Sequence, residues 1–112
     1  MRCRATAAWV KSYAEPLAVR QGQELEAGAR DDEWPGWVWC SDDSGLGGWL
    51  PEDILRLEGS RAFVVEDFDS TELSVAAGEL LTGTQTRIGW VWCRNAAGAC
   101  GWVPERILQR LD

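Results

Sequence analysis

The sequence contains no histidine, and only one tyrosine and two phenylalanines occur among its 112 residues. Without histidine, a Ser-His-Asp triad, a histidine metal ligand and imidazole acid–base catalysis are all excluded. Pairs of carboxylates are present, but their spacing indicates neither a nucleophile beside them nor a pocket, and no glycine-rich phosphate loop occurs. We therefore expect a protein that is not an enzyme and that needs no cofactor.

Long hydrophobic runs are also missing. The longest uncharged apolar run, residues 5–10, is far too short to span a bilayer. It follows Arg2 and Arg4 as in a signal peptide, but it lacks the length and the cleavage site of one. Eighteen acidic against eleven basic residues give a net charge of −7, which opposes general attraction to nucleic acid or to an anionic membrane. We expect a soluble cytoplasmic protein with neither of these partners.

Tryptophan is abundant, with eight residues, and its spacing indicates a duplication. Residues 36–55 match residues 89–108 at a shift of 53, and twelve of these twenty positions are identical. A fainter match at a shift of 56 pairs residues 17–25 with 73–81, which places a three-residue insertion within 30–35 of the first copy. The chain is therefore predicted to hold two repeats of about 55 residues, and we expect domains at 1–58 and 59–112.

Each repeat has the pattern of β structure, because apolar positions alternate and Gly, Asn, Asp and Pro recur at short intervals. Residues 41–46 and 94–99 are predicted hairpin turns, and Pro51 and Pro104 end the strands that return from them. No long window has a helical period. We expect an all-β protein with five short strands in each repeat and no helix longer than a single turn.

The ordered motifs of both copies resemble the SH3 domain family. In the second copy the matching motifs are, in order, residues 64–68 (VVEDF), 72–75 (ELSV), 78–79 (GE), 90–93 (WVWC) and 101–104 (GWVP). In the first copy they are residues 9–13 (WVKSY), 17–19 (LAV), 22–23 (GQ), 37–40 (WVWC) and 48–51 (GWLP). The resemblance implies two tandem five-stranded SH3-like β-barrels. The short connection at 58–61 spans at most about 14 Å, so we expect the two barrels to touch.

The resemblance, combined with strand alternation, assigns a core and an outer face. The inward residues are expected to be Leu17, Val19, Leu25, Val38, Cys40, Leu50, Leu73, Val75, Leu81, Val91, Cys93 and Val103. Four indoles, those of Trp37, Trp39, Trp90 and Trp92, are expected to point outward. A patch of this size usually marks an interaction site, although docking of one repeat on the other could cover part of it.

In the SH3 family, outward aromatic side chains bind a proline-rich left-handed helix. The resemblance implies a ligand-binding face in the first copy formed by Tyr13, Glu15, Trp37, Trp49, Pro51 and Ile54. In the second copy the corresponding face is Phe68, Glu72, Trp90, Trp102, Pro104 and Ile107. Because Ile54 and Ile107 replace tyrosines of the family, a proline-rich ligand and a different peptide or protein surface both stay open.

Four cysteines admit three chemical interpretations. Cys40 and Cys93 are expected to be small core residues. Cys93 and Cys100 flank a predicted turn and could form a disulfide if the strand register allows it. A zinc site is disfavoured because no Cys-x-x-Cys spacing occurs. Together these residues predict a non-catalytic module that recognises a peptide or protein partner. The alternative is a structural or assembly protein whose tryptophan faces are covered by docking between the repeats or by self-association.

Overall fold

The computed structural model describes residues 1–112 and consists of β-strands without an α-helix. The strands are β1 (Arg2–Ala5), β2 (Ala18–Val19), β3 (Glu24–Arg30), β4 (Trp37–Ser41), β5 (Gly47–Pro51), β6 (Leu55–Glu58), β7 (Arg61–Val64), β8 (Phe68–Asp69), β9 (Leu80–Arg87), β10 (Trp90–Arg94), β11 (Cys100–Pro104) and β12 (Leu108–Arg110). Single 3₁₀ turns at Glu52–Ile54 and Glu105–Ile107 are the only helical elements, and no helix has the length and hydrophobicity to cross a membrane. The predicted all-β class is confirmed.

The chain forms two compact units whose limits differ from the predicted division at 58/59. Unit 1 combines Met1–Ala14 with Thr71–Asp112, and unit 2 is the continuous stretch Glu15–Ser70. The segment 58–61, expected to link two domains, is instead the turn of the β6–β7 hairpin inside unit 2, where Glu58 pairs with Arg61. Gly59 has a φ of +61° there, a left-handed conformation that glycine adopts without steric cost. The chain passes between the units at residues 14–15 and 70–71.

Unit 2 contains a five-stranded antiparallel sheet in the order β5-β4-β3-β7-β6. A separate short pair joins β2 to β8, with Val19 opposite Phe68. The strand β7 lies between β3 and β6, so Ala62 is paired with Leu25 on one side and with Leu57 on the other. This central position buries Ala62 completely.

Unit 1 repeats this arrangement with strands from both ends of the chain. Its sheet has the order β11-β10-β9-β1-β12, so β1 occupies the fourth place, as β7 does in unit 2. Cys3 of β1 pairs with Leu81 of β9 and with Arg110 of β12. An isolated antiparallel bridge joins Trp9 to Val75, in the place of the β2–β8 pair of unit 2. Each sheet therefore receives the strand in its fourth place from a segment that lies outside the matching repeat.

Both five-stranded sheets are open, which corrects the predicted barrels. In unit 1 the terminal strands β11 and β12 do not pair with each other, and in unit 2 the same is true of β5 and β6. Each large sheet has five strands, but the predicted count of five strands in each repeat is wrong, since residues 1–58 supply β1–β6 and residues 59–112 supply β7–β12. All twelve residues predicted to point inward are buried, with exposed fractions of 7% or less.

The turns predicted from Asp, Asn and Gly form as expected and resemble each other in detail. In unit 2 Asp42 Oδ1 accepts hydrogen bonds from the amides of Ser44 and Leu46 at 2.9 and 3.0 Å. In unit 1 Asn95 Oδ1 accepts from the amides of Ala97 and Ala99 at 3.0 and 2.9 Å. An acceptor side chain at the first turn position thus holds each hairpin.

Candidate binding site

In unit 2 the tryptophan at the start of β4 lies in a closed aromatic cluster. Trp37 is opposite Pro51 in the sheet register, and its ring centroid is 6.0 Å from that of Phe68 with a tilt of 58°. Trp37 and Phe68 are 5% and 8% exposed, and Ile54 after the strand is 1% exposed. This predicted ligand face offers little surface to a partner.

Unit 1 builds the corresponding cluster from Trp90, Pro104 and Trp9. Trp90 begins β10 opposite Pro104, and its ring centroid lies 5.4 Å from that of Trp9 in an edge-to-face arrangement. Such pairs are favoured by the quadrupole of the rings beyond the area they bury. Trp90 is buried, but Trp9 keeps part of its ring at the surface.

The predicted exposure of Trp37 and Trp90 is wrong. Strand alternation does place their side chains on the other face of the strand from those of Val38 and Val91. Their outer faces are covered because Phe68 packs on Trp37 and Trp9 packs on Trp90. The two later indoles of the same strands are half-buried rather than fully exposed. Trp39 packs edge-to-face on Trp49 at 5.2 Å, and Trp92 packs in the same way on Trp102 at 5.3 Å.

Glu72 organises the surface side of the unit 1 cluster. Its Oε1 atom accepts three hydrogen bonds of 3.1 Å, from the Trp9 indole N–H, the Ser12 amide and the Ser12 hydroxyl. The resemblance to the SH3 family places Glu72 on the ligand-binding face. In the structure this carboxylate instead fixes the orientation of Trp9 and the path of the chain that follows it.

The residue that sequence reasoning missed is Trp9. The motif alignment matches Tyr13 with Phe68, but in the structure Trp9 is the counterpart of Phe68. The bridge from Trp9 to Val75 in unit 1 matches the pair of Phe68 with Val19 in unit 2. Tyr13 lies four residues further along the chain and is 45% exposed. A shift of 59, which aligns residues 2–9 with 61–68, reveals the equivalence. Only one identity supports that shift, so the sequence signal is weak.

The other predicted site residues divide into buried and accessible groups. Pro51, Pro104, Trp102 and Ile107 are buried. Glu15 is exposed, while Trp49 and Glu72 are half-buried. The structure therefore exchanges two residues between the predicted faces, because Phe68 lies in unit 2 with Trp37 and Tyr13 lies in unit 1 with Trp90. It leaves only a minority of the predicted site residues at the surface.

Comparisons of this chain with protein-family models, with curated proteins and with solved structures give no match. The function is therefore argued from the contacts within each unit.

The cysteines do not form the disulfide considered from sequence. Cys93 pairs with Gly101 and Cys100 pairs with Arg94, so the two thiols lie on opposite faces of the hairpin, and all four cysteines are free. The prediction that Cys40 and Cys93 are core residues is confirmed. Burial raises the pKa of the Cys40 thiol to about 11 and that of Cys93 to about 12. Both thiols are therefore held in the neutral form.

Proposed function

We propose that this chain is a non-catalytic binding module, built from two SH3-like units, that recognises a peptide or protein segment through unit 1. The SH3-like assignment is supported by the ordered motifs and by five-stranded sheets of the same strand order in both units. Each unit differs from the family's simple chain order, since one interior strand of its sheet, β1 or β7, comes from outside the matching repeat. The SH3-like assignment therefore concerns the order of the strands within each sheet and not the order in which the chain connects them.

The observation that carries the proposal is the exposed segment of residues 9–13, which we name the 9–13 segment. Val10 is 78% exposed, Tyr13 is 45% exposed, and Trp9 keeps a partly exposed ring. The hydrogen bonds from Trp9 and Ser12 to Glu72 fix the Trp9 ring and the backbone at Ser12, and Val10 lies between these two points. A fixed aromatic surface loses little conformational entropy when a ligand binds to it.

Unit 2 lacks this surface. The structural counterpart of Trp9 is Phe68, which is 8% exposed, and its neighbour Trp37 is 5% exposed. We assign the ligand-binding role to unit 1, while the aromatic cluster of unit 2 stabilises its own fold. A proline-rich ligand is one peptide class that such an aromatic surface fits, because the preformed left-handed helix costs little entropy to order.

The test is selection of a random peptide library on the purified chain, followed by titration of the selected peptides. The variant carrying Val10→Ser and Tyr13→Ala removes the exposed apolar side chains without touching Trp9 or Glu72. Val65→Ser is the matched control, because Val65 is 49% exposed but lies in unit 2. We expect the double variant to lose the selected peptides and the control to keep them. Failure to enrich any peptide, or unchanged binding by the double variant, would contradict the proposal.

A structural or assembly role is the second candidate, and the burial of the indoles favours it. Trp37, Trp90 and Trp102 are all 8% exposed or less, so these large side chains stabilise the folded units. An assembly protein would show a molecular mass that rises with concentration in light scattering and would select no peptides. A monomer of constant mass that binds peptides would exclude this second role.

A further inference from the structure

Unit 1 carries a groove of about 620 Å³ whose charge is opposite to that of the whole chain. Three arginines, Arg2, Arg4 and Arg94, line it, and no acidic side chain does. The protein as a whole has a net charge of −7. The three arginines therefore concentrate positive charge in one part of an otherwise acidic protein.

The strand register places the three arginines in a defined array. Arg94 of β10 and Arg2 of β1 are both paired with Thr82 of β9, so they stand in one row across three strands. Arg4 lies two residues further along β1, on the same face and beside Leu80. From strand spacing, the Cα atoms of Arg2 and Arg94 are about 10 Å apart, and those of Arg2 and Arg4 are about 7 Å apart.

None of the three guanidinium groups has an ion pair in the structure, whereas four other arginines do. The nearest carboxylate at the end of the chain, Asp112, accepts a hydrogen bond from the Arg2 amide at 3.1 Å and contacts Arg110 at 3.6 Å. The three guanidinium groups thus form a local positive charge with no acidic side chain in the groove lining to neutralise it. The array therefore favours a negatively charged ligand.

The rest of the lining limits what that ligand can be. Leu80 is 56% exposed and Leu111 is 37% exposed, so apolar surface accompanies the arginines. An extended polyanion such as a nucleic acid would be repelled by the acidic remainder of the chain. A short ligand that combines two anionic groups with an apolar group matches both the charge and the lining.

We propose that this arginine groove binds an extended peptide segment that carries acidic residues at alternate positions next to an aliphatic residue. In an extended chain, alternate side chains share one face and repeat about every 7 Å, which matches the spacing of Arg2 and Arg4. Each carboxylate can accept paired hydrogen bonds from a guanidinium group. The aliphatic side chain covers Leu80 and Leu111. This site uses none of the residues of the 9–13 segment.

The test measures fluorescence anisotropy of a labelled peptide of sequence Gly-Ser-Asp-Ser-Asp-Ser-Leu-Gly against the full chain. The variant is Arg2→Gln combined with Arg94→Gln. The control is Arg20→Gln combined with Arg56→Gln, which changes the net charge equally at two sites outside both the groove and the 9–13 segment. We expect roughly tenfold weaker binding by the first variant and unchanged binding by the control. Unchanged urea midpoints would show that both variants are folded.

A second comparison tests the spacing. A peptide of the same composition with its two aspartates adjacent should bind more weakly, because one carboxylate then faces away from the groove. Equal affinity for both peptides would overturn the proposal, as would equal losses in both double variants. Tighter binding of a single-stranded oligonucleotide than of the alternating peptide would also overturn it.

Discussion

Trp9 and Glu72, 63 residues apart in the chain, are joined by a hydrogen bond of 3.1 Å from the indole N–H to the carboxylate. The same carboxylate oxygen accepts from Ser12, so one side chain fixes both the ring of Trp9 and the chain beyond it. This contact stabilises the attachment of the N-terminal segment to unit 1.

Replacement of Glu72 should therefore loosen the N-terminal segment. We expect Glu72→Ala to lower the free energy of unfolding by about 1–2 kcal/mol, since hydrogen bonds to a charged acceptor are lost together. Glu72→Gln keeps an amide oxygen as acceptor and should lose less. Urea denaturation followed by tryptophan fluorescence measures both changes. Equal stability of the alanine variant and the wild type would contradict this role of Glu72.

Gly101 should tolerate no side chain. A Cβ atom there would lie 2.7 Å from the backbone atoms Glu72 C and Leu73 N, and backbone cannot move aside as a flexible side chain can. We expect Gly101→Ala to cost about 1–3 kcal/mol in urea denaturation. The control is Gly28→Ala, whose added Cβ would approach Trp39 O at 3.3 Å and should have a smaller effect. A smaller loss at position 101 than at position 28 would refute the close approach.

Ile88 is a site for stabilisation. It has a φ of +42° in the two-residue turn between β9 and β10, a left-handed conformation that is strained for a β-branched residue. We expect Ile88→Asn to raise the thermal midpoint, with a gain of about 1 kcal/mol. Ile88→Val keeps the branch at Cβ and should give no gain. A lower midpoint for the asparagine variant would show that the turn is not strained.

The cysteines should differ sharply in reactivity. Cys3, Cys40 and Cys93 are 1% exposed or less, whereas Cys100 is partly exposed. Iodoacetamide should therefore modify only Cys100 in the folded protein and all four thiols in urea, as counted by mass spectrometry. Rapid modification of a second thiol without denaturant would mean that a core opens more readily than its burial indicates.

The buried thiols also predict a loss of stability at alkaline pH. In the folded state burial raises the pKa of Cys40 and Cys93 from 9.0 to about 11 and about 12. The unfolded chain releases these protons first, so the free energy of unfolding falls as the pH rises above about 9. Cys40→Ala should reduce this dependence. A Cys40→Ala variant with an unchanged alkaline slope would argue against the shift.

The sequence alone showed the internal match between residues 36–55 and 89–108. It also predicted the all-β class and all twelve buried core positions, because alternating burial leaves a direct trace in the order of side chains. Leu25 and Leu81, for example, stand at matching points of the fainter alignment at a shift of 56. The two turns held by Asp42 and Asn95 were predicted for a similar reason, since their bonds join residues only two and four positions apart.

Only the tertiary structure decided which segments share a sheet. Strands β1 and β7 have similar apolar patterns, so local sequence does not say which of the two lies beside β3 and which beside β9. The pairing of β7 with β3 and of β1 with β9 sets the limits of the two units. It also covers Trp37 with Phe68 and places Trp9 against Trp90. These are pairings between distant parts of the chain, and they depend on the sum of many backbone and side-chain contacts rather than on any single motif.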